Sequence, residues 1–366
     1  MRNLRISRAL FLRDVWLVCL LFLMILGLSA TSFGLVSDGS DGPFHPTGDV
    51  TLDLPPDGIF NFTTITIDEG ITVRFNRNAA NTPVYFLATG EVIINGIIDI
   101  SAHLYDYALG SKIGGPGGGD GGEKGVGRED GTDGFGPSPG IGGPAFSAGG
   151  GGGMATEGLV AVRHTGPDPA SGGSAIPFPE PLTGGSGGGG GGGWTCFGVP
   201  LEGGNGGGAG GAILISTPGD MTIGGRIMAN GAWGGCSFAN AFGHGGPGGG
   251  GSGGVIVLEA NSISLEANSI LEAKGGPGGG ISTMPIWHPD FSSGANGGMG
   301  YVRITANEFN LHLAVFAAAF GSVYPDLNYN PVCDFDDDGD VDGSDLAVFA
   351  ADFLEDLLPI LADSSP

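Results

Sequence analysis

Three stretches of this chain repeat one alternation of apolar residues with the same spacing of turns. They read VYFLATGEVIINGIIDISA from Val84, AILISTPGDMTIGGRIMANGA from Ala212 and VIVLEANSISLEANSILEAKGG from Val255. Val92, Ile94, Ile98 and Ile100 correspond to Met221, Ile223, Ile227 and Ala229, and then to Ile263, Leu265, Leu271 and Ala273. FTTITIDEGITVRF from Phe62 is a rougher copy, and YVRITA from Tyr301 a partial last one. Period-two alternation turns every second side chain to one face of a strand. A single copy cannot bury that face, whereas stacked copies bury it along one axis. The pattern predicts a mainly β fold: a right-handed parallel β-helix or β-solenoid over residues 51–305. An antiparallel sandwich would show the same alternation.

Glycine-rich inserts leave the same place in successive copies, over about 103–210, 232–253 and 275–300. Of the 78 glycines, 41 lie between Ser101 and Gly210. Glycine has no side chain for a core and loses much entropy on ordering. The tracts therefore read either as flexible surface loops or as extended glycine helices packed side by side. Trp194, Trp233 and Trp287 fall within them. Their indoles could stack on sugars, or form small local cores that pin the inserts.

Residues 1–32 read as a signal peptide: Arg2, Arg5, Arg8 and Arg13, then the apolar run Val15–Leu28, then small residues. The run is short for a membrane span of about 20 residues, although an uncleaved anchor is the other reading. A leader at 33–50 precedes the repeats. The predicted mature chain is secreted and not inserted in a membrane. The signal carries four of 13 basic residues and one of 38 acidic ones, leaving nine against 37. Nucleic acid is a poor partner for that balance, and divalent cations are good ones. Similar surroundings, WTCF and WGGCSF, suggest a disulfide between Cys196 and Cys236, with Cys333 left over.

Near the C-terminus, Asp334 to Asp345 holds seven aspartates in twelve residues. Asp334, Asp336 and Asp338 occupy positions 1, 3 and 5 of an EF-hand calcium loop. Gly339 sits at the turn, and Asp340, Asp342 and Asp345 stand at 7, 9 and 12. A hard cation takes six to eight oxygens, and alternate residues on a tight turn aim carboxylates inward. Asp340 is expected to offer its backbone carbonyl, and Val341 to close the loop against a neighbour. Ca2+ is the expected cofactor, offsetting the repulsion among the carboxylates.

The apolar run after the loop, LAVFAADF, has an offset copy, LAVFAAAF, at Leu313–Phe320. Leu313, Val315, Phe316 and Phe320 recur as Leu346, Val348, Phe349 and Phe353. On these residues the segment 306–358 resembles a dockerin, a small α-helical module of two calcium loops and helices, followed here by a tail at 359–366. The places matching Asp334, Asp336, Asp338 and Asp345 hold Tyr301, Arg303, Thr305 and His312, so one calcium site remains instead of two. The resemblance implies a cohesin-type partner contacted through Gly343 and Ser344. Capping of the solenoid's end is the other expected role.

No catalytic residues stand out. Glu91, Asp99, Asp220, Glu259, Glu266 and Glu272 are scattered and expected to face solvent, and the six histidines lack metal-ligand spacing. The acids of GGDGGEKGVGREDGTDG lie on glycine-rich backbone, as a weak second calcium site at most. The expected function is a secreted, calcium-binding structural, surface-binding or adhesion protein with a docking module. The alternative is a polysaccharide-degrading or carbohydrate-binding component of an extracellular complex.

Overall fold

The structure is a computed structural model. It describes residues 35–102, 112–161, 170–240, 243–282, 293–311, 316, 319–323, 326, 329–335 and 338–349. The chain divides into two compact units, Met1–Leu35 and Val36–Pro366. Only Leu35 of the first is described, so the expected signal peptide lies outside the described residues.

Eighteen strands are present among the described residues. The first seven are β1 (Gly42–Phe44), β2 (Val50–Asp53), β3 (Ile59–Ile67), β4 (Thr72–Asn76), β5 (Val84–Ala88), β6 (Val92–Ile94) and β7 (Ile97–Asp99). Within the long glycine-rich insert lie β8 (Trp194–Cys196) and β9 (Val199–Leu201). Then come β10 (Ala212–Ser216), β11 (Asp220–Ile223), β12 (Arg226–Met228), β13 (Ser237–Asn240) and β14 (Gly243–His244). The last are β15 (Val255–Leu265), β16 (Ile270–Glu272), β17 (Ile281–Ser282) and β18 (Tyr301–Leu311).

The repeats pair in parallel at the register their alternation implies. Met221 faces Val92 on one side and Ile263 on the other, and Ile227 faces Ile98 and Leu271. These side chains, with Ile94, Ile213, Ile215, Ile256 and Leu258, are buried in one apolar core. The sheets, however, are not those of the expected right-handed parallel β-helix. The larger sheet closes on itself in a six-strand parallel ring, β3-β5-β10-β15-β11-β6 and back to β3. Closure depends on two long strands. Ile59–Phe62 of β3 pair with β5 while Ile65–Ile67 pair with β6, and β15 likewise bridges β10 and β11. A flatter five-stranded sheet, β16-β12-β7-β4-β2, lies alongside. Alternation could not foresee this, because a closed ring and an open stack of coils bury the same alternate side chains.

The small α-helical C-terminal module is not seen either. Among the described residues the helical ones are 316, 319 and 343–349. β18 continues as strand to Leu311, where a helical module would already have begun. No helix among the described residues is long and apolar enough to cross a membrane.

Of the two readings of the glycine tracts, the structure takes the second. Gly119, Gly122 and Gly125 donate to the carbonyls of Gly185, Gly188 and Gly191 at 2.9–3.0 Å. Those three glycines donate in turn to Gly210, Gly207 and Gly204. Every third N–H reaches the same neighbour, which is the three-residue repeat of the polyproline II helix. Segment 184–193 is buried throughout. It donates to segments 129–135, 147–150 and 204–210, and accepts from 119–125, 140–146 and 246–252. Segment 246–254 is a second such hub, bonded among others to 229–235, 276–279 and 295–298. A buried tract without apolar side chains is tolerable here because its backbone polar groups find partners. The acids of this insert serve the same end: Asp130 and Asp133 accept from the N–H groups of Ala145 and Gly142.

The insert also covers the outer face of β5, β10 and β15. Leu87, Leu214, Val255 and Val257 are buried there with Met154, against Ile176, Phe178 and Leu182. Covering both faces explains why ILIS and VIVL read as continuous apolar runs, as parallel strands buried on two sides do. Trp194 packs edge-on against Phe146 at 3.7 Å between ring centres, a local core inside the insert, whereas Trp233 is half-exposed. Trp287 lies outside the described residues. Cys236 is buried, and nothing is described of the Cys196 side chain, so that pairing stays an expectation from sequence.

Candidate metal centre

The acidic loop begins at Asp334 and turns at Gly339, whose φ of 92° belongs to the left-handed region that glycine adopts without strain. Asp334 is buried and holds the turn. Its Oδ1 accepts from the N–H of Asp338 at 3.2 Å and its Oδ2 from that of Gly339 at 3.0 Å. The Tyr329 hydroxyl donates to the same Oδ2 at 2.5 Å. At the other end Asp345, fully buried, accepts from the N–H groups of Phe335 at 2.5 Å and Asp342 at 2.8 Å. Asp342 accepts from the N–H of Ser344 at 2.7 Å, starting the helix over 343–349.

Carboxylate oxygens of Asp340, Asp342 and Asp345 lie within 4.8 Å of one another, a cluster that could hold a metal ion. Asp340 Oδ1 is shielded from solvent and meets no hydrogen-bond donor. Desolvation, and then the charges of Asp338, Asp342, Asp345 and Asp334, raise the Asp340 pKa above its ordinary value. That oxygen is an acceptor without a partner in a field of like charges. Asp334 and Asp338 stand outside the close cluster, and Asp336 lies outside the described residues. Asp340, expected to contribute its backbone carbonyl, brings its carboxylate instead.

The loop is anchored where Val341 was expected to close it. Val341 is fully buried; its N–H donates to the carbonyl of Ser322 at 2.9 Å, and its own carbonyl accepts from Gly321 at 2.7 Å. Beneath it Phe316 and Phe349, the matched residues of the two offset copies, stack at 4.6 Å with planes 5° apart. Met299, Tyr329 and Cys333 complete that core. Gly343 and Ser344, the expected partner contacts, are exposed at the start of the helix. Tyr329 escaped sequence reasoning because it lies outside the ligand spacing, and Cys333 was read only as the cysteine left over from a disulfide.

Burial, with the nearby Asp345 charge second, pushes the Cys333 thiol up to about 12. The folded state therefore favours the neutral thiol. Its contribution to stability is whole below the ordinary thiol value of 9 and is lost as pH rises from there toward 12. Site-resolved alkylation at pH 8 should leave Cys333 unlabelled in the folded chain and label it fully in denaturant. Labelling at equal rates in both would mean that the loop does not shield it.

The scattered acids of the strands are not simply solvent-facing. Glu272 is largely buried, accepting from Asn230 at 3.1 Å with Arg226 and Lys274 each 3.4 Å away. Glu259 is equally buried near Arg303, and desolvation raises its pKa. Set beside known proteins, the chain matches no family model, no curated protein and no solved structure.

Proposed function

We propose that this chain is a secreted, calcium-binding structural or surface-attached protein. In this reading Asp340, Asp342 and Asp345 hold Ca2+, with Asp334, Asp336 and Asp338 completing an oxygen shell. The observation that carries it is the partnerless Asp340 oxygen inside the carboxylate cluster. An oxygen-only site with several carboxylates suits a hard cation, and Ca2+ accepts irregular coordination more readily than the smaller, strictly octahedral Mg2+. Export is supported by the basic, then apolar, N-terminal residues. A structural role is supported by the extent of cross-bonded glycine backbone, which ties together segments remote in sequence. A cohesin-type partner docking at Gly343 and Ser344 would attach the chain to a larger assembly.

Calorimetric titration of the full chain with CaCl2 tests the reading. Saturable uptake at one site is expected, together with slower proteolysis of the C-terminal segment. The Asp340→Asn, Asp342→Asn double variant should bind at least tenfold more weakly, since each lost carboxylate removes a charged ligand. No heat from the parent chain, or an unchanged titration in the variant, would overturn the assignment.

A further inference from the structure

The outward face of the five-stranded sheet carries polar residues in register. Thr51 of β2 stands beside Arg74 of β4, Arg74 beside Asp99 of β7, and Asp99 beside Met228 of β12. The next outward positions add Asn76, Ser101 and Asn230. Over this face rises the edge of the glycine insert at Ile113 to Pro116, and between the two lies a cleft of about 750 Å3. That falls within the roughly 300–1,000 Å3 of small-ligand sites. It crosses four strands, or three spacings, about 14 Å in all, which is long enough for an oligomer.

The cleft's charges are balanced within it. Arg77 is committed to Asp120 and to the carbonyl of Gly114. Arg74, half-exposed, meets Asp99 through Nε at 3.4 Å, which leaves its terminal nitrogens for a ligand. Asp99 spends one oxygen on the N–H of Ser101 at 3.1 Å. Arg74 and Asp99 thus offset one another on the floor, as Arg77 and Asp120 do beside it. Ile113, exposed on the wall, and Met228 on the floor add apolar contact. A polyanion would be opposed by the chain's net charge of −25. Hydroxyl groups, each both donor and acceptor, match the lining.

We propose that this cleft binds a neutral polysaccharide chain, its hydroxyls paired with Arg74 and Asp99 and its C–H faces against Ile113 and Met228. The site is remote from the acidic loop in the chain and shares no residue with it, so its success does not depend on the calcium reading. Native affinity electrophoresis of the full chain in gels containing soluble β-glucan, glucomannan or xylan tests it, with polygalacturonate as the acidic control. At least one neutral polymer should retard the protein, equally in EDTA. Arg74→Ala should weaken that retardation at least tenfold. So should Ile113→Glu, an exposed position whose change leaves the core untouched. Retardation by none of the neutral polymers, by polygalacturonate alone, or undiminished in both variants would overturn the proposal.

Discussion

Gly188→Val is expected to abolish the folded state. A Cβ at Gly188 would stand 2.3 Å from the carbonyl oxygen of Gly249, and one at the neighbouring hub position Gly190 would stand 2.0 Å from that of Glu123. Ordinary contact begins near ~3.5 Å. The obstruction is backbone, so no side chain can swing away. Relief would require moving a segment already bonded to other helices of the bundle, and each shift would break hydrogen bonds in a dry interior. The cost should exceed about 4 kcal/mol, the range reserved for a named structural fault. Gly48→Ala and Gly280→Ala, where an added methyl meets nothing within 4 Å, should stay within about 0.5 kcal/mol of the parent. Differential scanning calorimetry separates the cases. A Gly188→Val protein melting with the parent would show that the hub is not close-packed.

Phe86→Ala should cost about 3–5 kcal/mol. Its ring is fully buried at one end of the core, edge-on to Phe44, Phe60, Phe62 and Phe75 at 5.1–5.8 Å between centres. Those four rings come from β1, β3 and β4. Removing Phe86 therefore opens a cavity that four elements share, and none can collapse into it without leaving its ladder. Ile94→Val, equally buried but losing one methyl, should cost about 0.5–1.5 kcal/mol. Urea denaturation followed by tryptophan fluorescence measures both. A Phe86→Ala loss no larger than that of Ile94→Val would mean that the aromatic cluster is loosely packed.

Side-chain facing and strand register could be read directly from the repeats. Once Val92, Met221 and Ile263 are aligned by spacing, their common facing follows, because a one-residue slip would turn all of them away from the core; that they pair in parallel was decided by the structure. Ring closure could not be read that way. It depends on β3 and β15 running on past the point where their neighbours turn, at Gly90 and near Gly219, and on nothing in the alternation itself. The glycine tracts were ambiguous for a different reason. An isolated polyproline II helix has no internal hydrogen bonds, so whether Gly188 is ordered depends on Gly122 and Gly207 arriving beside it.

The acidic loop divides in the same way. The places of Asp334 to Asp345, the turn at Gly339 and the closing residue Val341 were visible as local spacing, since a turn of that length is governed by its own backbone. Which carboxylates converge was not visible. Nor were the Tyr329 bond to Asp334, the pairing of Val341 with Ser322 and the stack of Phe316 on Phe349. Patterns within a few residues tell which way side chains point and where the chain can bend. Closure of the ring, order in the glycine helices and the anchoring of the acidic loop on Ser322 and Phe316 are contacts between separate segments, and their free energy exists only once those segments have met.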